Sequence, residues 1–283
     1  MCGYDSSVHG GMLFLRSRLE LHMRKLTRKR KLSVLPKWLR TRIEVNWYES
    51  LRLLEQAREQ VPDGARVLDA GSGEGRYKAF FEHTRYVGLD LAVGDVTWDY
   101  SSLDSVGDLR ELPFPNDSFD AAVCVQTLEH VNDPFQVIRE IGRVLKPGGR
   151  FYLSAPMSWH QHQKPHDYFR YTSFGFQHLL EQSGMQVMEM RPMGGYFWFL
   201  SFNLQMLHFW LFPPVKTRWQ WWLQLPYQLV SQALFFIILP LLLFYLDRID
   251  TLKDHTMGWV CIAEKRREAD LASQHEYDPE ASQ

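Results

Sequence analysis

Cysteine is scarce in this chain of 283 residues, and the three that occur form no metal-binding or disulfide pattern. Cys2, Cys124 and Cys261 are far apart, and none belongs to a CxxC pair. The last two lie within apolar, strand-like runs, where cysteine behaves as a small hydrophobic residue. This distribution argues against a disulfide scaffold and favours a reducing compartment.

The first residues also lack the features of a secretory signal and are poor in acids. The run GGMLFL is too short for a signal's apolar region, and no small-residue cleavage site follows it. Eleven Lys and Arg lie between Arg16 and Arg42, with Glu20 as the only acid. We expect residues 1–45 to form a basic arm. It either meets an anionic partner, such as phospholipid, nucleic acid or a phosphorylated substrate, or is simply a solvated helix face.

Strand-like and helix-like segments alternate over residues 46–190, which predicts a parallel sheet covered by helices on both faces. Asp133 and Pro134 are suited to begin the clearest helix, and Pro147 with two glycines to end it. The strand-like runs are ARVLDAG (65–71), YVGLD (86–90), FDAAVCV (119–125) and GRFYLSAP (149–156). The other helix-like runs are RYKAFFEH (76–83) and Thr172–Gly184.

The strongest chemical signal is the run VLDAGSGEGRY, which reads as a strand, a glycine-rich turn and a helix. Gly71, Gly73 and Gly75 allow the backbone to turn sharply and to approach a ligand. The spacing is GxGxG, whereas the dinucleotide fingerprint is GxGxxG, so the fit to a nicotinamide cofactor is poorer. Asp90 ends the next strand, where a carboxylate can accept both hydroxyls of a ribose.

These motifs, followed by GDLRELPF, LEHV and LKPGG, resemble the class I S-adenosylmethionine-dependent methyltransferases. The resemblance is to the broad group that includes the quinone-biosynthesis methyltransferases, and it covers about residues 60–190 and 256–265. It implies an α/β fold, a Rossmann-like doubly wound sheet of seven strands, mostly parallel with an antiparallel seventh strand. It also implies S-adenosyl-L-methionine as the cofactor.

The resemblance implies roles for residues around this cofactor. The three glycines would hold its methionine part, with Asp69 near its cationic end, and Asp90 would hold the ribose hydroxyls. Asp108 would contact the adenine amino group, with Leu109 beside the ring, and Gln126 would face both cofactor and acceptor. The family usually has a full helix between Asp90 and Asp108, but here the stretch is short and rich in turn residues. We therefore expect an adenine side that is more open, or covered by another element such as the basic arm.

Candidate catalytic residues follow the fourth and fifth predicted strands. Methyl transfer needs a base only when the acceptor must lose a proton. His130 in LEHV is one candidate, and His166 with Asp167, in the run HQHQKPHDYFRYT, is a second, as a base and its orienter. The His-x-His spacing in that run suggests a metal, but neither Cys nor a compact set of carboxylates completes a site, so we expect none.

The same run contains the candidate acceptor-binding residues Tyr168, Arg170 and Tyr171, of which Arg170 suits an acidic acceptor. The alternative is that DYFRYT only fixes the start of the next helix. Nucleic acid is disfavoured as a partner. QTLE stands where amino-group DNA methyltransferases carry Asp/Asn-Pro-Pro-aromatic, no nucleophilic Cys follows the fourth strand, and no nucleic-acid-binding motif accompanies the basic arm.

A long apolar segment, residues 191–255, separates the predicted sixth strand MQVMEMRP from the seventh, MGWVCIAEK. The family usually joins these strands by a short hairpin. Here the segment includes LVSQALFFIILPLLLFYL, eighteen uncharged residues that are barely long enough to span a bilayer. Because both strands belong to one sheet, the chain must leave and return on the same side. Two crossings or none are therefore allowed.

The connector PPVKTRWQWWLQLPY favours no crossing. Two crossings would place Lys216 and Arg218 on the far side of the membrane, against the positive-inside tendency, whereas Trp beside cations suits an interface. We predict that 191–255 is a membrane-associating insertion, monotopic or re-entrant. Two true crossings, or an extra soluble core or dimer face, are the alternatives. Residues 256–265 are predicted as the last core strand and 266–283 as a polar tail.

Together these features predict a methyltransferase on the cytoplasmic side of a membrane, peripheral or monotopic, with a small-molecule or lipid-like acceptor. One rival is an RNA methyltransferase that uses the basic arm. Another is a non-catalytic membrane scaffold with a vestigial methyltransferase fold. The sequence leaves the methylated atom and the oligomeric state open.

Overall fold

The computed structural model describes residues 35–94, 98–212 and 218–267, excluding the side chains of residues 218–225. The described residues form two compact units. One consists of residues 45–199 and 249–267, and the other of residues 35–44 and 200–248. Most of the predicted basic arm and nearly all of the predicted polar tail lie outside the described residues and stay predictions.

The larger unit contains one sheet of seven strands. They are β1 Arg66–Ala70, β2 Arg85–Asp90, β3 Ser105–Val106, β4 Phe119–Val125, β5 Leu145–Pro156, β6 Met185–Pro192 and β7 Gly258–Lys265. The order is β3-β2-β1-β4-β5-β7-β6, and β7 is antiparallel to both of its neighbours. This confirms the predicted Rossmann-like sheet with an antiparallel seventh strand.

The helices of this unit are α2 Val45–Gln60, α3 Pro134–Val144 and α4 Ser173–Gln182. The starts of α3 and α4 follow from their capping residues. Asp133 accepts a hydrogen bond from the Gln136 amide at 3.0 Å, and Thr172 Oγ1 accepts one from the Gly175 amide at 3.1 Å. The central strands β1 and β4 are almost wholly buried, as expected for strands covered on both faces.

Two predicted helices are shorter in the structure. The run RYKAFFEH forms only one 3-10 turn, Lys78–Phe81. Helix α3 ends at Val144 rather than at Pro147, because Leu145 already pairs with Phe119 in the sheet. Between β2 and β3 the described residues, 91–94 and 98–104, contain no helix.

The last two strands bring the ends of the predicted insertion together. Strand β6 pairs with β7 as far as Pro192 and Trp259, and the Met193 amide then donates to the Gly258 carbonyl at 2.8 Å. The long segment therefore leaves and re-enters the sheet at neighbouring positions.

The smaller unit is helical. It contains α1 Lys37–Ile43, most of α5 Tyr196–Leu211, α6 Arg218–Ala233, a π-helical turn Leu234–Ile238 and α7 Leu239–Leu246. Pro240 explains the π turn, because proline lacks an amide hydrogen and its ring displaces a carbonyl of the preceding turn. The Leu239 amide accordingly donates to Leu234, five residues back.

A buried polar pair joins α5 to α6. His208 Nε2 lies 3.2 Å from Ser231 Oγ, and both side chains are buried. The rings of Phe212 and Phe236 have their centroids 4.8 and 5.0 Å from that of His208. A histidine is thus accommodated inside an apolar helical layer because it has a hydroxyl partner.

Pro226–Ile249 is a continuous helical stretch of 24 residues, and by length and composition it is the one described helix that could cross a membrane. Only 22% of its most apolar window is buried. Burial in the core of the protein therefore does not account for its apolar composition.

Candidate active site

The three predicted glycines form the loop that follows β1. All have positive φ, 85° at Gly71, 55° at Gly73 and 69° at Gly75, where other residues are strained. A Cβ atom at Gly71 would lie 2.2 Å from Thr127 Cγ2. Glycine is therefore required here both by the turn and by the packing of the loop on the end of β4.

Asp90 fixes this loop from the end of β2. Its Oδ2 accepts a hydrogen bond from the Gly73 amide at 3.0 Å, and its Oδ1 accepts one from the Ala92 amide at 2.8 Å. Each carboxylate oxygen can accept a further bond. The geometry thus agrees with the predicted ribose-binding role, which remains a prediction.

Asp69 is a buried carboxyl group beside the glycine loop. Its side chain is almost inaccessible, and Tyr86 donates a hydrogen bond to Oδ2 at 2.6 Å. Oδ1 has no hydrogen-bond partner among the described residues. Burial raises the pKa of Asp69 to about 7, opposed by the Tyr86 bond and reinforced by the nearby Asp90. A buried carboxylate with one unbonded oxygen would be stabilised by a cationic ligand group. This agrees with the predicted position of Asp69 near the cationic end of S-adenosyl-L-methionine.

The predicted adenine side is occupied by an ion pair. Arg110 Nη2 donates to Asp108 Oδ2 at 2.6 Å, and this guanidinium lowers the pKa of Asp108. Leu109 is buried. An adenine contact by Asp108 would therefore be shared with Arg110.

Trp98 lies against the glycine loop and was missed by the sequence reasoning. A Cβ atom at Gly73 would lie 3.3 Å from its ring, and the Arg76 guanidinium lies 5.6 Å from the ring centroid. The available signal was a tryptophan in a stretch of turn residues between β2 and β3.

Gln126, at the end of β4, has φ of 53°, which is uncommon for a residue other than glycine. Its backbone amide donates a hydrogen bond to the Ser154 carbonyl at 3.0 Å, and its side-chain Nε2 donates one to Ser154 Oγ at 3.2 Å. Strained backbone of this kind concentrates at functional sites. The position agrees with the predicted contact to cofactor and acceptor, which stays a prediction.

The structure does not bring together the predicted base His166 and its orienter Asp167. The His166 ring instead lies 3.4 Å from the Tyr168 hydroxyl, measured from Nδ1. Asp167 receives hydrogen bonds from Arg170 at 2.7 and 2.9 Å and from the His162 amide at 2.9 Å. Asp167 thus holds its own loop in shape.

The predicted acceptor-binding residues divide into one exposed and two structural side chains. Arg170 also donates to the carbonyls of Trp159 and His160, and the Tyr171 hydroxyl donates to the Leu128 carbonyl. Tyr168 is exposed. These contacts favour the alternative that the segment fixes the local backbone, and the acceptor-binding role stays a prediction.

Glu129 is the other residue that sequence reasoning missed. It lies in a 3-10 turn, Leu128–His130, and its side chain is fully buried. Burial raises its pKa to about 8. His130 lies beside it, with Nδ1 2.6 Å from the His166 carbonyl, and burial lowers the pKa of this histidine. The signal in the sequence was an acid in LEHV, directly before the candidate base.

Comparison with known proteins agrees with this geometry. Residues 68–153 match a family model described as a methyltransferase domain. The chain contains a class I S-adenosylmethionine-dependent methyltransferase domain. Its family cofactor is S-adenosyl-L-methionine, and the glycine loop, Asp69 and Asp90 are the residues that would hold it.

Three curated relatives cover this domain. A probable S-adenosylmethionine-dependent methyltransferase of Mycolicibacterium smegmatis is 36% identical over 39% of this chain and 45% of its own length. A fatty-acid O-methyltransferase of the same species is 35% identical over 38% and 43%. A ubiquinone biosynthesis O-methyltransferase of Xanthomonas oryzae is 38% identical over 32% and 43%. The alignments therefore span less than half the length of these relatives.

The glycine loop yields a first prediction. Gly71→Ala places a methyl group against Thr127, and we expect calorimetric affinity for S-adenosylhomocysteine to fall by more than about tenfold, or about 1.4 kcal/mol. Gly64→Ala is the control, because Gly64 has a similar φ of 74° but nothing within 4 Å of the added Cβ. Equal affinities for the two variants would show that the contact with Thr127 does not shape the cofactor site.

The raised pKa of Asp69 yields a second prediction. The carboxyl group is neutral below about pH 7 and charged above it, and only the charged form attracts a cationic cofactor group. Affinity should therefore rise with pH through about 7, by up to about tenfold per unit below it for one linked proton. Calorimetry at several pH values tests this, with Asp69→Asn as control. A wild-type profile that matches that of the variant would exclude Asp69 as the titrating group.

Proposed function

We propose that the chain is an S-adenosylmethionine-dependent methyltransferase that acts on a lipid-like or other small amphipathic acceptor at the cytoplasmic face of a membrane. The observation that carries this proposal is an exposed apolar helix face in the smaller unit of a chain that also contains the cofactor site. The chain would associate with the membrane as a peripheral or monotopic protein.

The exposed face is a row of apolar side chains spaced three or four residues apart, which we call the apolar stripe. Its members are 38–68% exposed and comprise Tyr227, Val230, Leu234, Ile238, Leu242 and Tyr245. Residues at this spacing share one side of a helix. At 1.5 Å per residue the stripe is about 27 Å long. Single apolar residues scattered over a protein surface are normal, but a continuous row of this length is not.

Chain topology favours a helix that lies in the membrane interface over one that crosses it. Strands β6 and β7 pair in one sheet, so the segment between them must cross twice or not at all. Within the described residues only Pro226–Ile249 is long and apolar enough to cross. A single crossing is incompatible with the paired strands, whereas an interfacial helix satisfies both observations.

The methyl transfer itself depends mainly on how the protein positions the cofactor and the acceptor. When bound, the cofactor supplies a methyl group already activated on a sulfonium sulfur. The chain's own contribution is to hold cofactor and acceptor in line, which supplies most of the acceleration in such reactions. His130 and His166 remain the predicted bases for an acceptor proton, whereas Asp167, predicted to orient His166, is bonded to Arg170 instead.

The relatives suggest the class of acceptor. Two of them are named for methyl transfer to oxygen, on fatty acids and in ubiquinone biosynthesis. Both names indicate apolar small molecules. An enzyme retained at a bilayer would meet such acceptors at high local concentration.

Labelled S-adenosylmethionine tests the proposed reaction. The full chain is incubated with methyl-labelled cofactor and fractionated cell extract, and we expect the label in the lipid fraction. Asp90→Ala, which removes the predicted ribose contact, is the inactive control. Label in RNA would support the rival nucleic-acid methyltransferase, and no label despite cofactor binding would support a non-catalytic scaffold.

Vesicle binding tests the apolar stripe separately. The double variant Ile238→Asp with Leu242→Asp should lose co-sedimentation with anionic phosphatidylglycerol vesicles by at least about tenfold, since each acid costs up to about 3 kcal/mol in the membrane. Phe174→Asp is the matched control, because Phe174 is an exposed apolar residue of the larger unit. Undiminished binding of the double variant would remove the stripe from the membrane proposal.

A further inference from the structure

Three side chains from two different strand ends converge beside the methyltransferase site. Glu129 and His130 follow β4, and His162 follows β5. A potential ligand atom from each lies within 4.8 Å of the other two. Glu129 Oε1 lies 3.8 Å from His130 Nε2, and the two histidine rings have their centroids 4.6 Å apart.

Both histidines are oriented so that one nitrogen keeps its lone pair. His130 Nδ1 lies 2.6 Å from the His166 carbonyl, and His162 Nδ1 lies 3.2 Å from the His160 carbonyl. A carbonyl oxygen only accepts hydrogen bonds, so each Nδ1 carries the proton. Each Nε2 is therefore a lone-pair donor. Metal-binding histidines commonly have this arrangement, with the second nitrogen bound to a backbone carbonyl.

Bringing these three side chains together is energetically unfavourable without a cation. The Glu129 side chain is fully buried, and neither of its carboxyl oxygens has a hydrogen-bond partner among the described residues. His130 Nε2 is likewise buried and without a partner in this part of the chain. Buried polar atoms are normally paired, and facing lone pairs repel each other. A positive ion between the three groups would satisfy all of them.

We propose that Glu129, His130 and His162 bind one divalent transition-metal ion of the Zn²⁺ type. Imidazole nitrogen with one carboxylate oxygen suits such ions better than Mg²⁺ or Ca²⁺, which prefer oxygen alone. Ligand bonds of about 2.0–2.2 Å would require the side chains to approach by about 1 Å. With three protein ligands, the fourth coordination position of the metal would remain open for water or for an oxygen of a bound small molecule.

The two histidines of the cluster are partly exposed to solvent. The side chain of His162 is 26% accessible, and that of His130 is 12% accessible, which leaves a route for the ion. The assignment gives His130 the role of a ligand in place of the predicted base.

No metal was predicted from the sequence, because neither Cys nor a compact set of carboxylates lies near His160 and His162. In the proposed site the carboxylate comes from Glu129, at the end of the neighbouring strand. Parallel strands β4 and β5 bring these separate segments to one edge of the sheet.

Cobalt binding tests the site without reference to activity. The full chain, purified in detergent without a histidine tag and stripped with chelator, is titrated with Co²⁺ and followed by its visible ligand-field absorption. We expect one Co²⁺ per chain, displaced by Zn²⁺ but not by Mg²⁺. Glu129→Gln and His162→Asn should each weaken binding by more than about 100-fold, beyond the usual effect of losing an outer-shell partner.

His160→Asn is the matched control. His160 is in the same loop but outside the cluster, and its backbone carbonyl is unchanged, so Co²⁺ binding should be retained. Circular dichroism establishes that each variant is folded. The proposal is overturned if the wild-type chain binds no stoichiometric Co²⁺, which would leave a proton shared between Glu129 and His130. It is also overturned if folded Glu129→Gln and His162→Asn bind as well as His160→Asn.

Discussion

The contact between the glycine loop and the end of β4 is the constraint on which the rest of the site depends. Gly71 approaches Thr127 so closely that no side chain fits between them. The adjacent Gly73 is tied to Asp90 on the other neighbouring strand. Three strand ends are thereby held in one arrangement, and the buried Asp69 lies within it. Backbone packing thus positions the residues predicted to bind the cofactor before any ligand arrives, which reduces the entropy lost on binding.

Much of the sheet could be predicted from the sequence because its signals are local. Strands β4 and β6 have the predicted bounds, and Asp133 and Thr172 cap the predicted helices. These features depend on short apolar runs and on side chains that bond to their own backbone. The run RYKAFFEH was predicted as a helix and forms one 3-10 turn, since its position in the tertiary structure overrides a weak helical preference.

The site was harder to predict because its pairings are not local. Asp167 suggested a partner for the adjacent His166, but the structure gives it to Arg170 and the His162 amide. Glu129 was overlooked because a buried acid looks ordinary in sequence. Only the fold shows that both of its carboxyl oxygens lack partners among the described residues. Trp98 gave no spacing signal at all, since its contact with the glycine loop depends on an irregular backbone.

The hydrogen bond between the Met193 amide and the Gly258 carbonyl closes the sheet where the apolar segment begins and ends. Because the apolar segment begins and ends at adjacent positions of an antiparallel pair, the sheet closes in the same way whether a short turn or a long segment joins the two strands. Closing a longer loop costs little additional entropy, about 0.6 kcal/mol for each doubling of its length. A methyltransferase domain can therefore gain or lose a helical segment at this edge while the pairing of its strands stays unchanged.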